Sequence, residues 1–291
     1  MTHFVEPKVE IDEDSILVIP FESFTPQEND AFIIGSFESF HKGHFLLYQE
    51  MLQKEKGRKI LVTFSNEDLM PKFKKQVFTD NNAKYLTMAQ LEIDAIVELV
   101  FSKVALLSGE EFLQKLTNNL KCQIIVGADF KFGRNASCDA SDIQRILPNA
   151  EVHAYKPYLD NNQKVSTSKL KEELYVGNVQ YVNELLPVSE YAFSAYYKKD
   201  EPLQTFKYLT AMHPGIYLAI TQIDNMCFYV LLHVNMQQER FIHPIDLDNL
   251  NIKDNQMILV TVLNKVRLII SKQKDNVMEL DYLSAKEQFN K

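Results

Sequence analysis

Tryptophan is missing from this 291-residue chain, and cysteine occurs only as Cys122, Cys138 and Cys227. An odd number of cysteines without CxxC spacing signals neither a disulfide framework nor a zinc site, and points to the reducing cytosol, a cytoplasmic setting. Long hydrophobic runs are missing too. Met257-Ile258-Leu259-Val260 and Leu268-Ile269-Ile270 fall far short of the roughly 20 apolar residues that span a bilayer, so no transmembrane helix and no membrane partner are expected. Glu6, Glu10, Asp12, Glu13 and Asp14 precede any apolar stretch, the reverse of the basic-then-apolar order of a secretory signal. Nor is there a surplus of basic charge. A formal net charge of -8 argues against a nucleic-acid footprint, so any phosphate site is local, built from a few Lys and His side chains and helix-start N–H groups.

What is there is ordinary globular material, with 46% AVILMFWYC, 24% DEKR, and Phe and Tyr supplying the aromatic bulk. The length suits two domains. Apolar runs at 31–34, 59–64, 95–100 and 124–126 alternate with amphipathic stretches at about 43–54, 81–91 and 109–120, and a helix is expected over 142–147. Such alternation predicts a Rossmann-like α/β domain, a parallel sheet with helices on both faces and ligands beyond the carboxyl ends of its strands. A helical pair from Ser166 to about Leu186 closes this part. Beyond Pro187 the period changes to strands, at 215–220, 226–234, 256–263 and 265–270, with no long helix until about Ser284. A smaller antiparallel β-barrel is expected there. The predicted division is 1–187 and 188–291.

In Gly35-Ser36-Phe37-Glu38-Ser39-Phe40-His41-Lys42-Gly43-His44, two histidines flank a glycine where a strand hands over to a helix. Positions three apart share a helical face, so both imidazoles can address one ligand while Gly43 lets the backbone approach it. Helix-start N–H groups favour an anion, and nucleotidyl transfer needs mainly positioning and charge neutralisation. With 7 His and 8 Gly in the chain, chance supplies only about 0.005 occurrences of H-x-G-H. The plain alternative is two surface histidines with local hydrogen bonds. Ile125 to Gly133 is a second candidate, whose alternative is a turn with Phe130 and Phe132 in the core. The third is Val165-Ser166-Thr167-Ser168-Lys169-Leu170-Lys171, hydroxyls ahead of a helix, either a plain N-cap or a phosphate site completed by Lys171.

In this order and spacing the three clusters resemble the bifunctional flavokinase/FAD synthetases of bacteria. The pattern G-x-F-D-G-x-H-x-G-H matches at Gly35, Phe37, His41, Gly43 and His44, V-G-x-D-F-x-F-G matches Val126 to Gly133, and I-S-S-T-x-I-R is similar to Val165 to Lys171. Glu38-Ser39 replaces the Asp-Gly pair, the H-P after the second strand is missing from Val62 to Glu67, and Lys171 stands for arginine. The resemblance implies transfer of AMP from ATP to FMN, giving FAD and pyrophosphate, with Mg²⁺ neutralising the phosphates. His41 and His44 would be catalytic. Gly35, Ser36, Phe37, Gly43, Ser166, Thr167, Ser168 and Lys171 would bind ATP, and Asp129 and Phe130 would border the flavin.

The related flavokinase domain carries G-F-P-T-A-N and E-x-H-x-x-D segments. Residues 190–214 contain nothing like the first, and in Phe241-Ile242-His243-Pro244-Ile245-Asp246 a phenyl ring stands where the Glu base would. A phenyl ring accepts no proton, so lost kinase activity is expected. Two other readings stay open: a nucleotidylyltransferase with another phosphorylated acceptor, and a non-catalytic flavin- or nucleotide-binding protein. Metal ligands and oligomeric state are not legible.

Overall fold

A computed structural model of the chain describes residues 16–53, 57–66, 76–223, 226–245, 250 and 252–289. The acidic run at 6–14, Glu67 and Asp246 lie outside the described residues.

The first sheet uses β1 Val18–Pro20, β2 Ala31–Ile34, β3 Lys59–Phe64, β4 Ala95–Leu99, β5 Gln123–Gly127 and, after the two-residue ribbon of β6 Lys131–Phe132 and β7 Cys138–Asp139, β8 Glu151–Tyr155. Every pairing in it is parallel, in the order β1-β4-β3-β2-β5-β8. The helices are α1 Lys42–Leu52, α2 Asn81–Ala89, α3 Phe101–Val104, α4 Gly109–Thr117 and α5 Ile143–Ile146. Helices on both faces explain the continuous apolar strands, because alternate residues enter two different cores. Phe32, Ile34, Ile60, Val62, Ile124 and Val126 pack on one side, while Ala31, Ile33, Leu61 and Ile125 meet Leu47, Tyr48 and Met51 of α1 on the other. Neighbour order reverses at β2, with β3 on one side and β5 on the other, so the loops after β2 and β5 open at the switch point of the sheet.

After β8 comes a hairpin of β9 Leu159–Asp160 and β10 Gln163–Lys164. Its turn residues Asn161 and Asn162 both take positive φ, 47° and 62°, which asparagine tolerates well. Then follow α6 Thr167–Tyr175 and α7 Val179–Glu184.

The second sheet comprises β11 Ala192–Tyr196, β12 Gln204–Thr205, β13 Gly215–Ile223, β14 Met226–Val234, β15 Arg240–Pro244 and β16 Met257–Leu268, antiparallel throughout, in the order β12-β11-β16-β13-β14-β15. It curls into a half-barrel. The two strands expected at 256–263 and 265–270 are one strand, β16. Its register against β13 shifts at two points, and such bulges bend a strand without ending it, which breaks the alternation in the sequence. β1, β11 and β15 are further strands that the apolar pattern did not predict, and the last helix, α8 Glu279–Phe289, starts earlier than expected.

The inner face of the half-barrel seats the closing helices of the first part. Leu170 and Leu174 of α6 and Val179 and Val182 of α7 share one core with Tyr191, Phe193, Tyr217, Val230 and Val262. Burying each such side chain contributes roughly 1.5–3 kcal/mol relative to exposure. Ala285 of α8 packs on the outer face with Ile216, Leu218 and Leu231. Among the described residues no helix is long and apolar enough to cross a membrane.

Candidate active site

The site begins where β2 hands over to α1. Phe37 turns the chain with φ 37°, and His41 caps α1, its Nδ1 accepting the Gly43 N–H at 3.1 Å. A left-handed φ is uncommon for a bulky residue and persists here under complete burial of the ring. A Cβ on Gly35 would stand 3.0 Å from the Phe37 ring, so glycine keeps that space open. Gly43 does the same for His41, where an added Cβ would lie 3.0 Å from the imidazole Cε1.

His41 and His44 stack with centroids 3.9 Å apart, and Phe37 meets His44 edge-on at 4.7 Å. Their protons are disposed oppositely. A backbone N–H donates to His41 Nδ1, which leaves the proton of the neutral ring on Nε2. The Ser39 carbonyl can only accept, so His44 Nδ1 is protonated and donates to it at 2.6 Å. Burial lowers the His41 pKa to about 4, with Lys164 pushing the same way. A neutral His41 can thus donate from Nε2 without carrying charge.

The peptide N–H groups at the start of α1, expected to face an anion, are already engaged. Lys42 donates to the Leu185 carbonyl at 2.9 Å, Gly43 to His41 Nδ1, and His44 to the His41 carbonyl at 2.8 Å. An anion at this helix start would therefore have to be met by side chains. α6 is the opposite case. Ser166 caps it by accepting the Lys169 N–H at 3.4 Å, while the N–H groups of Thr167 and Ser168 find no partner among the described residues.

These two segments, 128 residues apart, touch through Ser39 Oγ and Thr167 Oγ1 at 2.8 Å. They touch again through an ion pair between Lys171 and Glu38. Lys171 also donates to the Gln76 carbonyl at 2.7 Å, and the Phe78 N–H donates to Glu38 Oε1 at 2.6 Å. Behind the loop lies a cavity of about 30 Å³ lined by Glu38, Ser39, Thr79, Lys84 and Tyr191, among others. The Lys84 ammonium donates to the Phe64 carbonyl at 2.6 Å, at the end of β3 where the related pattern has H-P, and burial lowers its pKa to about 8.

The loop after β5 adds the second predicted cluster. Asp129 is ion-paired with Lys164 of the β9–β10 hairpin, and Lys164 lies near enough to His41 to act on its imidazole. Phe130 is half-buried and stacks on Phe132 at 5.4 Å. The structure thus gathers the H-x-G-H loop and the start of α6 by direct contact, and links Asp129 to them through Lys164. Ser36 has its carbonyl engaged by Thr63 Oγ1 at 2.8 Å, and Ser168 is exposed. Sequence reasoning missed Lys164, Glu38, Ser39 and Lys84. Lys164 had a visible signal, a cation directly ahead of the hydroxyl run, whereas Glu38 and Ser39 were noticed only as departures from a pattern.

A parallel α/β sheet with an imidazole pair at its switch point, on a loop that touches a hydroxyl-rich helix start through Ser39 and Thr167, defines a Rossmann-like α/β domain. The profile of the family described as FAD synthetase matches residues 24–169. The chain belongs to that family. It is 25% identical over 195 residues to FAD synthetase 1, chloroplastic, of Arabidopsis thaliana, covering 57% of this chain and 53% of the relative. It is 26% identical over 163 residues to FAD synthetase of Listeria monocytogenes, covering 53% and 66%. A bifunctional riboflavin kinase/FMN adenylyltransferase of Mycoplasma pneumoniae is 25% identical over 155 residues, covering 53% and 52%. In these matches the chain spans about half the length of the Arabidopsis and Mycoplasma relatives. A crystal structure titled as a macrolide-efflux protein from Streptococcus pneumoniae superposes with a TM-score of 0.73 at 19% identity, covering 94% of this chain and 98% of that one, a likeness of fold.

Proposed function

We propose that this protein is a cytoplasmic FMN adenylyltransferase that transfers AMP from ATP to FMN. An oxygen of the FMN phosphate attacks the α-phosphorus of ATP, the bond to the β-phosphate oxygen breaks, and FAD and pyrophosphate leave. No proton need move, because the attacking group is already an anion. The observation that carries this reading is the stacked His41–His44 pair on a loop whose Ser39 meets Thr167 at the start of α6.

His41 donates from Nε2 to a phosphate oxygen. His44, whose Nδ1 proton is committed to Ser39, donates from Nε2 only as imidazolium, a form that an arriving triphosphate favours. Ser166, Thr167 and Ser168 hold the triphosphate at the start of α6, and Gly35, Ser36, Phe37 and Gly43 shape the floor beneath it. Lys171 is engaged by Glu38, so its grip on ATP competes with that carboxylate. Lys164 brings a second cation above the histidines, and Asp129 and Phe130 border the flavin. Mg²⁺ would enter with ATP, held largely by the phosphates and water.

The domain division at about 187 and the loss of riboflavin kinase chemistry belong to the same proposal. Phe241 lies in β15 opposite His233, and Glu239, the nearest carboxylate in sequence, is exposed and accepts from Asn235 Nδ2 at 2.7 Å. The test is release of pyrophosphate and formation of FAD from ATP, Mg²⁺ and FMN. Absence of both with active flavin present would overturn the reading.

A further inference from the structure

We propose that Ser39 is a positioning residue that aims the Thr167 hydroxyl proton at the triphosphate. This rests on the reading of the α6 start as the triphosphate site. In the related pattern glycine occupies this place, so the hydroxyl belongs to this chain and not to the shared motif.

The direction of the Ser39–Thr167 hydrogen bond follows from burial. Ser39 is 2% exposed, and Thr167 Oγ1 is the partner its Oγ holds, at 2.8 Å. A buried hydroxyl proton left without an acceptor carries the full desolvation penalty, so Ser39 donates. Thr167 is half-exposed and accepts, which occupies a lone pair on Oγ1 and leaves its own proton directed outward. With the N–H groups of Thr167 and Ser168, for which no partner is found among the described residues, the start of α6 then offers three donors. A hydroxyl that accepts one hydrogen bond also donates a stronger one. The Ser39 carbonyl meanwhile fixes His44 through Nδ1 at 2.6 Å, so one residue sets both walls of the phosphate gap. Removing its hydroxyl leaves the Thr167 hydroxyl free to rotate, which weakens ATP binding while leaving the imidazole pair intact.

The experiment measures Mg-ATP affinity by titration calorimetry, with kcat at saturating ATP, for the full chain and for Ser39→Ala, Ser39→Gly, Thr167→Val, Thr167→Ser and Ser39→Ala/Thr167→Val. Both Ser39 variants should weaken ATP about fivefold, the size of one oriented neutral hydrogen bond, and leave kcat within about twofold. Thr167→Ser should retain affinity. The double variant should bind ATP no more weakly than Thr167→Val alone, because Ser39 acts through that hydroxyl. Ser39 variants that bind like the wild type, or a double variant showing the product of both losses, would overturn the inference and leave the proposed function standing. Wild-type protein that binds no Mg-ATP would overturn both. Ser39→Gly keeps the test decisive should alanine disturb the fold.

Discussion

His41 and His44 lie ring on ring at 3.9 Å with opposite proton dispositions, one nitrogen accepting from the backbone and the other donating to it. Each ring is held by a contact within the loop itself, so the pair is set before any ligand arrives. Replacing either by alanine should lower kcat for FAD formation roughly 10²- to 10³-fold, the loss seen when one preorganised donor is removed, with little change in FMN affinity. Steady-state kinetics with fluorescence titration of FMN checks both halves. Full turnover by both variants would remove these residues from the mechanism.

The buried His41 also makes a stability prediction. Its pKa falls from 6.5 to about 4 on folding, so the unfolded chain takes up the proton first as pH drops. The stabilisation is complete above the unfolded value and is lost as pH falls toward the folded one, on the order of 3 kcal/mol across that window. Urea unfolding at about pH 7.5 and about pH 4.5 should show a smaller pH dependence for His41→Gln than for the wild type. Identical dependence in the two proteins would contradict the assignment.

Gly43→Ala should act through His41. The new Cβ would stand 3.0 Å from Cε1 and 3.1 Å from Nδ1, and the ring must give way, loosening both its cap and its stack. A fall in kcat of about tenfold or more is expected with thermal stability nearly unchanged, because alanine favours the helix by up to about 1 kcal/mol over glycine. Wild-type kcat in this variant would show that the ring's position is unimportant.

Lys171 and Glu38 form an ion pair with side chains 17% and 5% exposed. Lys171→Met takes the ion-pair partner from a buried carboxylate that Lys84 and the Phe78 N–H still support, and should destabilise by about 1–3 kcal/mol, whereas Glu38→Gln/Lys171→Met should recover most of that. Denaturant midpoints of the three proteins test it. Glu38→Gln alone removes the carboxylate that competes for the ammonium and should lower the KM for ATP. A raised or unchanged KM would mean that Lys171 serves the loop and not the nucleotide.

Incubation with riboflavin, ATP and Mg²⁺ should give no FMN by chromatography, since Phe241 supplies no base. Turnover abolished by Glu239→Gln would show that the base lies two residues earlier in the hairpin.

The parallel sheet was legible because its strands are buried on both faces and so read as continuous apolar runs, such as Lys59 to Phe64. β15, with Arg240 and His243 in it, and the short β1 lacked that signature, and β16 was cut in two by its bulges. At the site, residue type and spacing exposed His41, Gly43 and His44. Contacts between segments far apart in the chain, such as Glu38 with Lys171 or Asp129 with Lys164, depend on how loops meet in space and leave no local pattern. The engaged N–H groups of α1 were hidden for the same reason, since one is taken by Leu185.

The helix that begins with Thr167 stands on the half-barrel, its Leu170 and Leu174 sharing a core with Phe193 and Val262. The second sheet is in this sense a foundation, and its worth is independent of any chemistry of its own. A lineage that no longer needed a kinase reaction could let residues such as the one at position 241 drift freely, yet could not discard the strands, because α6 would lose the ground under it. Under the proposed loss of kinase chemistry, this sheet would be kept for its shape, as masonry beneath α6.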